Sequence, residues 1–443
     1  MYFYPQHVIM KWVRSLNGEK MEYKSIIEKR SSKKYFPDFE EDNSSRRWYQ
    51  HDIDTIIYSD MFRKMQRKSQ LLSIYDPISR SRLIHTFEVV RIAKEISEKL
   101  GLDSELTEAI ALAHDFGNVA YGKVADKFLK NNTNQLFKHE EVSALMLKVS
   151  ASRQIPDKYQ DVALEAIKNN PDITHIIKIS EFPYELEVYE YNSKIYYICI
   201  SPEVLDGVVK HGTEELAGTV EGQVVNYADN IAYLIQDISD FEATGIFDDE
   251  TKKRYGRSLS GVEWKDSNTE FPISDIVGET TSLRTATLIE RFVHYNGHRL
   301  KNKTYSTVFS SILNQEIPVL KSEEIVSKAI EACWKFKEEF YKKPLITLSN
   351  KSSETKMEQL WNILDKNSIF VQRNACYNEF MDFLSTPIFV SFREEKQIVS
   401  EKVWKDWCKA CFIAHLTCDE IDLIIKSFLE RDYSFNLSLP KIR

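Results

Sequence analysis

Helical periodicity dominates this sequence, and few residues are available to interrupt it. The 443 residues include only 13 glycines and 12 prolines, which favours long helices joined by few tight turns. Hydrophobic residues make up 42% and charged residues 28%, proportions typical of a globular chain with a substantial core. We therefore expect a mainly α-helical fold.

The clearest helical patterns lie between residues 80 and 117. The segment RSRLIHTFEVVRIAKEISEKL predicts an amphipathic helix that ends at Gly101, and ELTEAIALAHDFG predicts a second helix that stops at Gly117. His85 then lies early in the first helix, and the pair His114-Asp115 lies at the end of the second. Antiparallel packing of the two helices would bring these three side chains together.

One segment departs from helical periodicity. YELEVYEYNSKIYYICIS contains two runs of aromatic and β-branched residues on either side of Asn192-Ser193, which predicts a β-hairpin. Polar composition predicts loops at 251–275 and at 343–356.

The chain is expected to contain three regions. Residues 1–47 would form an N-terminal lead-in with a contact between subunits, residues 48–250 the catalytic core, and residues 251–443 a helical C-terminal region packed on that core.

Two histidines and two aspartates form a candidate metal site. They are His85, His114, Asp115 and Asp229. Imidazole and carboxylate ligands from separate segments suit a divalent cation that keeps positions for water and substrate. A purely structural role for all four would require four coincidences, so we expect an active site. His211, in VVKHG, is expected to be structural or to lie at the rim of the site.

Further polar and aromatic residues share helical faces with these ligands. Arg82 precedes His85 by three positions, whereas Tyr233 and Asp237 follow Asp229 by four and eight positions. Residues with these spacings lie on one side of a helix, which favours a common site.

The net charge of −8 argues against a generally basic protein that coats nucleic acid. One stretch before His85 is nevertheless basic. Its members are Arg63, Lys64, Arg67, Lys68, Arg80 and Arg82. Beside a carboxylate-containing metal site, such cations would offset the charge of a polyphosphate substrate. For Lys64 and Lys68 we favour the simpler interpretation of a solvent-exposed helix face.

The six cysteines lack paired spacing, which predicts reduced thiols and a cytoplasmic protein. Cys408, Cys411, His415 and Cys418 have a spacing that resembles a zinc site. One uninterrupted helix would spread them over about 15 Å, too far to converge on one ion, so we expect buried helical cysteines. No stretch approaches the roughly 20 apolar residues that span a membrane.

Four segments resemble the deoxynucleoside triphosphate triphosphohydrolase (dGTPase-like) branch of the HD superfamily. They are HDIDTIIYSDMFRKMQRKSQL, SRSRLIHTFEVVRIAKEIS, LAHDFGNVAYG and EGQVVNYADNIAYLIQDISD. With a weaker match at FIAHLTCDE, the resemblance extends from about Trp48 to about Tyr433. It implies a mainly α fold, in which an HD-domain helical core at 48–250 carries a small β-hairpin and precedes a helical C-terminal region.

The resemblance implies roles for the residues at matching positions. One divalent metal ion (Mn²⁺, Mg²⁺, Fe²⁺, Ni²⁺ or Zn²⁺) would be bound by His85, His114, Asp115 and Asp229. Catalysis would involve His139, Asp126, Lys123 and Arg82, with His139 transferring a proton. Substrate would contact Gln66, Arg82, Asn118, Lys123, Tyr233 and Asp237.

Two positions depart from the family pattern HDLGHPPFGH. Asn118 and Lys123 stand where the family has histidines. A lysine can hold a phosphate electrostatically, but at its usual pKa it is a poor proton carrier at neutral pH. Either His139 with Asp126 transfers the proton, or the activity is reduced or redirected.

Three functions remain open from the sequence. The first is hydrolysis of a dNTP at the α-phosphorus to deoxynucleoside and tripolyphosphate, by a homo-oligomer (tetramer or hexamer) with a second nucleotide as effector. The second is another HD phosphohydrolase activity, such as a nucleotide phosphatase or phosphodiesterase. The third is a nucleotide-sensing or single-stranded-DNA-binding protein with weakened catalysis.

Overall fold

The computed structural model describes residues 48–70, 80–169, 177–179, 186–243, 264–266, 269–271, 281–300, 320–324, 327, 338, 340–365, 374–431 and 437. Their contacts divide them into two units. The first unit holds the described residues of 88–108 and 216–343, and the second unit holds those of 33–87, 109–215 and 344–443. The predicted lead-in at 1–47 lies outside the described residues, and the predicted region boundaries stay predictions.

The described part of the chain is mainly helical, which confirms the fold class predicted from the sequence. Its helices are α1 (Trp48–Ile57), α2 (Asp60–Lys64), α3 (Arg82–Leu100), α4 (Ser104–Ala113), α5 (Gly122–Asn132), α6 (His139–Ser150), α7 (Gln160–Lys168), α8 (Pro202–Lys210), α9 (Val220–Ala243), α10 (Thr281–Leu300), α11 (Pro344–Ile363), α12 (Ala375–Phe383), α13 (Pro387–Glu395), α14 (Glu401–His415) and α15 (Cys418–Glu430). Short 3₁₀ turns occupy Met65–Arg67 and Asp157–Tyr159. Within these ranges, no helix combines the length and the apolar character needed to cross a bilayer.

Among the described residues, two small antiparallel sheets interrupt the helices. The larger has the strand order β1-β4-β3-β2 and consists of β1 (Ser152–Gln154), β2 (Ile177–Ile179), β3 (Leu186–Tyr191) and β4 (Lys194–Ile198). The smaller is a pair formed by β5 (Trp264–Asp266) and β6 (Thr269–Phe271).

The β-hairpin predicted about Asn192-Ser193 is confirmed as β3–β4. Tyr191 and Lys194 face each other at its end, and the two residues between them have φ angles of 51° and 59°. Two consecutive left-handed residues form the tight turn that matches the twist of a hairpin. Because this pair lies inside a larger sheet, the hairpin is part of a four-stranded element rather than an isolated one.

Both loops predicted from polar composition contain regular structure. The β5–β6 pair lies within 251–275, and α11 covers all but the first residue of 343–356. Helix α11 packs against α5 and α15 and buries Ile346, Met357 and Leu360. Their helical spacing allows tertiary packing to override the Ser, Thr and Asn content of the segment.

In the first unit, α9 packs against α10. The rings of Tyr227 and Phe292 lie 4.5 Å apart between centroids, and the Tyr227 hydroxyl donates to the Leu320 carbonyl at 3.0 Å. The backbone N–H of Leu320 donates to Oε1 of Gln223 at 2.9 Å. Leu320 is therefore held against α9 by two hydrogen bonds, one through its carbonyl oxygen and one through its N–H.

In the second unit, α6 is the central helix. It packs against α1, α2, α8 and α13. Most of its side chains are buried, among them Val142, Met146 and Val149. A helix covered on nearly all sides belongs to a core. Its first residue, His139, is half-buried and is therefore held at a fixed place at the end of this core helix.

Lys64 and Lys68 are buried, so the prediction of an exposed lysine face is wrong. Lys64 donates to both carboxylate oxygens of Glu420, at 2.9 and 3.0 Å. Lys68, 1% exposed, donates to the carbonyl oxygens of Asn118 and Ala414 at 2.7 and 2.6 Å. Burial, together with the nearby Lys64, lowers the pKa of Lys68 to about 7. These acceptors lie far along the chain, where local charge patterns give no sign of them.

The cysteine-rich segment is helical, and its cysteines form no disulfide among the described residues. Cys408 and Cys411 are buried in α14, which confirms that prediction. The expected single helix is wrong in one respect, because α14 ends at His415 and Thr417 caps a new helix that begins at Cys418.

Because the carboxyl of Asp52 in α1 is buried, we expect the free energy of unfolding to depend on pH. This carboxyl is 5% exposed, its Oδ2 accepts from the Ser201 N–H at 3.2 Å, and burial raises its pKa from 3.8 to about 7. Because the folded protein then holds a proton that the unfolded chain has lost, the free energy of unfolding falls as the pH rises from about 4 to 7. Asp52→Asn keeps an acceptor oxygen and should remove this slope, with a gain of up to about 4 kcal/mol at pH 8.

Urea unfolding at pH 5 and pH 8 checks this prediction. Asp54→Asn, a change at a half-buried neighbour on the same helix, is the matched control. Parallel stability profiles for wild type and Asp52→Asn across this range would contradict the expected linkage.

Candidate metal centre

Three of the four predicted metal ligands come together in the second unit. One candidate ligand atom from each of His85, His114 and Asp115 lies within 4.8 Å of the other two. All three residues are buried, with exposed fractions of 0%, 0% and 3%. His85 lies in the first turn of α3, whereas His114 and Asp115 directly follow α4. The arrangement predicted from helix ends is thus present.

The orientation of the His114 ring suits a metal ligand. Its Nδ1 lies 2.7 Å from the carbonyl oxygen of Ala111, and a carbonyl only accepts, so Nδ1 carries the proton. The lone pair is then on Nε2, which lies 3.6 Å from Oδ2 of Asp115. Donation of the second ring nitrogen to a backbone carbonyl is typical of metal-binding histidines. Two imidazoles and a carboxylate therefore fit a divalent cation.

Asp115 is oriented from both sides. Its Oδ2 accepts from Nη1 of Arg82 at 2.9 Å, and its Oδ1 accepts from Nδ2 of Asn118 at 2.8 Å. Burial alone would raise the pKa of this carboxyl, but His114, Arg82 and His85 hold it well below its usual range. Asp115 is therefore an ionised group, and each oxygen has a second lone pair.

The turn after α4 is fastened to α6 by one hydroxyl. Ser143 accepts from the Gly117 N–H at 2.8 Å and donates to the His114 carbonyl at 2.8 Å. A Cβ at Gly117 would lie 2.5 Å from both the His139 carbonyl oxygen and the Ser143 nitrogen. Only glycine allows the two backbones to approach this closely, and the approach brings His139 to the site.

His139 and Asp126, predicted to act together, are neighbours. Nδ1 of His139 lies 3.7 Å from Asp126 Oδ1 and 3.4 Å from Glu140 Oε2. Burial opposes the charged imidazole, but these carboxylates outweigh it and raise the pKa of His139. Burial likewise acts against ionised Asp126, but His139 and Lys130 lower the pKa of that carboxyl.

His211 is a site residue that the sequence patterns did not reveal. It directly follows α8, is 2% exposed, and lies 5.1 Å from the His114 ring and 5.6 Å from the His139 ring between centroids. Burial, with these two histidines nearby, lowers its pKa to about 4. The segment VVKHG carries no motif that separates this histidine from a structural or rim residue, and the structure places it, buried, beside His114 and His139.

The other predicted site residues lie on several elements. Gln66 and Lys123 are exposed, at the 3₁₀ turn and at the start of α5. Asp229 and Tyr233 are half-buried residues of α9, in the first unit. The side chain of Asp237 lies outside the described residues. Their proposed roles stay predictions.

Comparison with known proteins gives the family. Residues 82–234 match the family model of the HD domain. The chain contains an HD domain. Its HD domain begins at Arg82, three residues before His85, and contains the histidine and aspartate cluster described above.

Curated relatives of this HD-domain protein are described as deoxyguanosinetriphosphate triphosphohydrolase-like proteins. The relative from Clostridium perfringens (strain SM101 / Type A) is 32% identical over 216 residues, 48% of this chain and 51% of its own length. The relative from Desulfatibacillum aliphaticivorans is 28% identical over 296 residues, 64% of this chain and 70% of its own length. The match thus spans about half the length of the first relative, and the comparisons confirm the predicted resemblance to dGTPase-like proteins.

Proposed function

We propose that this HD-domain protein hydrolyses a deoxynucleoside triphosphate to the deoxynucleoside and inorganic tripolyphosphate, with water attacking the α-phosphorus. The observation that carries the proposal is the buried convergence of His85, His114 and Asp115 beside His139. The descriptions of the curated relatives favour a triphosphate substrate.

One divalent ion would be held by His85, His114 and Asp115, and the sequence pattern proposes Asp229 as the fourth ligand. The ion could be Mn²⁺, Mg²⁺, Fe²⁺, Ni²⁺ or Zn²⁺, since this donor set accepts each of them. When bound, such an ion polarises a phosphate oxygen and lowers the pKa of a coordinated water.

The surrounding residues prepare the site for charge. Arg82 and Asn118 hold Asp115 ionised and in one orientation before substrate arrives. Asn118 performs this task without titrating, which gives a physical reason why an amide is acceptable where the family has a histidine. Arg82 and Lys123 are proposed to offset phosphate charge.

His139 is the proposed proton donor to the departing nucleoside oxygen. The carboxylates of Asp126 and Glu140 raise its pKa, so the imidazolium is populated nearer to neutral pH, where a general acid is effective. Asp126 would keep the ring oriented. Gln66, Tyr233 and Asp237 are proposed to contact the sugar and base, on the family pattern alone.

Product analysis tests the proposed function. The purified full chain is incubated with each dNTP, singly and mixed, with Mn²⁺ or Mg²⁺, and the products are separated by chromatography that resolves tripolyphosphate. Deoxynucleoside plus tripolyphosphate, absent with Asp115→Asn, is the expected result. Size-exclusion chromatography with light scattering, with and without nucleotide, tests the proposed homo-oligomer and effector.

Other outcomes assign a different function. Orthophosphate or a nucleoside monophosphate would indicate a phosphatase or phosphodiesterase. Saturable binding of dNTP or single-stranded DNA without turnover in any mixture would favour the sensing function and overturn the proposal.

A further inference from the structure

Lys68 is a buried amine that bridges two distant parts of the second unit. The residue is 1% exposed, and its Nζ donates to the carbonyl oxygens of Asn118 and Ala414 at 2.7 and 2.6 Å. Asn118 lies in the turn that carries His114 and Asp115, whereas Ala414 lies in the last turn of α14. An amine in a protein interior costs free energy unless its hydrogen bonds are satisfied, so this placement calls for a reason.

On one side of the bridge, Asn118 is fixed through all of its polar groups. Its backbone N–H donates to the Asp115 carbonyl at 3.0 Å, and its Oδ1 accepts from the Val119 N–H at 3.1 Å. Its Nδ2 donates to Oδ1 of Asp115 at 2.8 Å, and its carbonyl oxygen accepts from Lys68. Because the amide has a single orientation, the position of the Asn118 backbone decides where the bond to Asp115 points. Lys68 holds that backbone.

The backbone of Lys68 is itself tied to the other support of Asp115. The Lys68 carbonyl oxygen accepts from the Arg82 N–H at 2.9 Å, and Nη1 of Arg82 donates to Oδ2 of Asp115 at 2.9 Å. The ammonium therefore extends from a point that is fixed relative to the carboxylate. Residues behind a metal ligand set its orientation, and their loss typically costs about 10–100-fold in metal affinity.

On the other side of the bridge, the end of α14 suits a cation. Carbonyls in the last turn of a helix lack partners within the helix and form the negative end of its dipole. Lys64 donates to the next carbonyl, that of His415, at 3.3 Å, and it is also paired with Glu420. Two lysines from one short segment thus bind the end of α14. Of the two, Lys68 is the one whose described bonds also include the turn after α4.

A second bond links the same turn to the C-terminal helices. Tyr121 has a left-handed backbone with a φ of 64°, and its hydroxyl donates to Oδ1 of Asp422 in α15 at 3.0 Å. A residue with a Cβ keeps such a backbone only where its surroundings hold it. The segment from Asp115 to Tyr121 is therefore held at two places, by α14 through Lys68 and by α15 through Tyr121.

We propose that Lys68 is a positioning residue, which orients Asp115 for metal binding through Asn118 and makes that orientation depend on the docking of α14. The inference rests on the proposed function for the ion site. Without the ammonium, two buried carbonyls lose their donor and the backbone at Asn118 relaxes. The affinity for the ion then falls, although every ligand is still present.

A double-mutant cycle in Mn²⁺ affinity tests this role without substrate. The full chain is stripped with EDTA, and isothermal titration measures Mn²⁺ binding to wild type, Lys68→Met, Asn118→Ala and the double variant, at a temperature where circular dichroism shows each to be folded. Lys64→Met is the matched control. It removes a buried amine from the same segment and the same helix end, but its described bonds go to His415 and Glu420.

Lys68→Met and Asn118→Ala are each expected to weaken Mn²⁺ binding by about 10-fold, the lower end of the range for a residue behind a ligand. The double variant should bind Mn²⁺ as weakly as Asn118→Ala alone, because the Lys68 side chain acts through that amide. Lys64→Met should lower the Tm and leave Mn²⁺ affinity unchanged.

Three results would overturn the positioning role. They are an unchanged Mn²⁺ affinity in Lys68→Met, an equal loss in Lys64→Met, and losses that multiply in the double variant. If Lys68→Met does not fold, Lys68→Gln, which is shorter but keeps a donor, takes its place in the cycle under the same criteria.

The same proteins separate this proposal from the proposed function. The expected loss of Mn²⁺ affinity, without release of tripolyphosphate by the wild type, would overturn the function and leave the positioning role standing. Release of tripolyphosphate by the wild type, with unchanged Mn²⁺ affinity in Lys68→Met, would do the reverse.

Discussion

Asp115→Asn is expected to lower kcat/KM for dNTP hydrolysis by at least about 10³-fold, because a metal ion contributes several kcal/mol to transition-state stabilisation. The substitution keeps the shape of the side chain but removes the negative charge that Asp115 would supply to the ion. Metal binding should weaken in parallel, which isothermal titration with Mn²⁺ measures independently of turnover.

The same change should destabilise the metal-free protein. Arg82 and Asp115 form an ion pair in which both side chains are 4% exposed, and loss of one partner from such a pair typically costs about 3–5 kcal/mol. Asp419→Asn is the control, since it removes a carboxylate from an exposed pair with Arg67 and should change stability by less than about 1 kcal/mol. Full Mn²⁺ affinity in Asp115→Asn would rule out Asp115 as a ligand.

Gly117→Ala is expected to destabilise the protein by roughly 3 kcal/mol and to weaken Mn²⁺ binding, although alanine adds only one carbon. That carbon would meet backbone atoms of His139 and Ser143 at 2.5 Å, and neither can rotate away. Helix α6 would have to move, and overpacking of this kind costs about 1–3 kcal/mol or more. Thermal unfolding with and without Mn²⁺ measures both effects.

Gly207→Ala separates close backbone approach from simple crowding. The three atoms nearest to its added Cβ are side-chain carbons of Ile110, at 2.6–2.9 Å, and a side chain can change rotamer. Alanine also favours the interior of α8 by up to about 1 kcal/mol. We therefore expect the Gly207→Ala protein to be more stable than the Gly117→Ala protein. The reverse order would contradict the role given to the turn after α4.

Features that depend on neighbouring residues could be predicted from the sequence. Helical periodicity predicted α3 and α4. Antiparallel packing of the two helices then predicted that His85 lies near His114 and Asp115. Two aromatic runs around Asn192-Ser193 gave the β3–β4 hairpin, since a tight turn and alternating side chains are local properties.

Features that depend on distant packing could not be predicted. The polar sequence of α11 indicates a loop until α5 and α15 cover its apolar face. Lys64 and Lys68 belong to a basic stretch. Charge content alone does not show that Lys64 donates to Glu420 or that Lys68 donates to the Ala414 carbonyl. His211 becomes a site residue only because α8 packs beside α6.

The buried Lys68 ammonium also sets an order of events during synthesis. Its acceptor at Ala414 lies 346 positions later in the chain. At about 5–20 residues per second, the ribosome takes roughly 20–70 s to bridge that interval. During this time, Lys68 cannot link the Asn118 carbonyl to α14, although both residues have already been made. The connection between the turn at Asn118 and α14 therefore forms only after the C-terminal helices have been made.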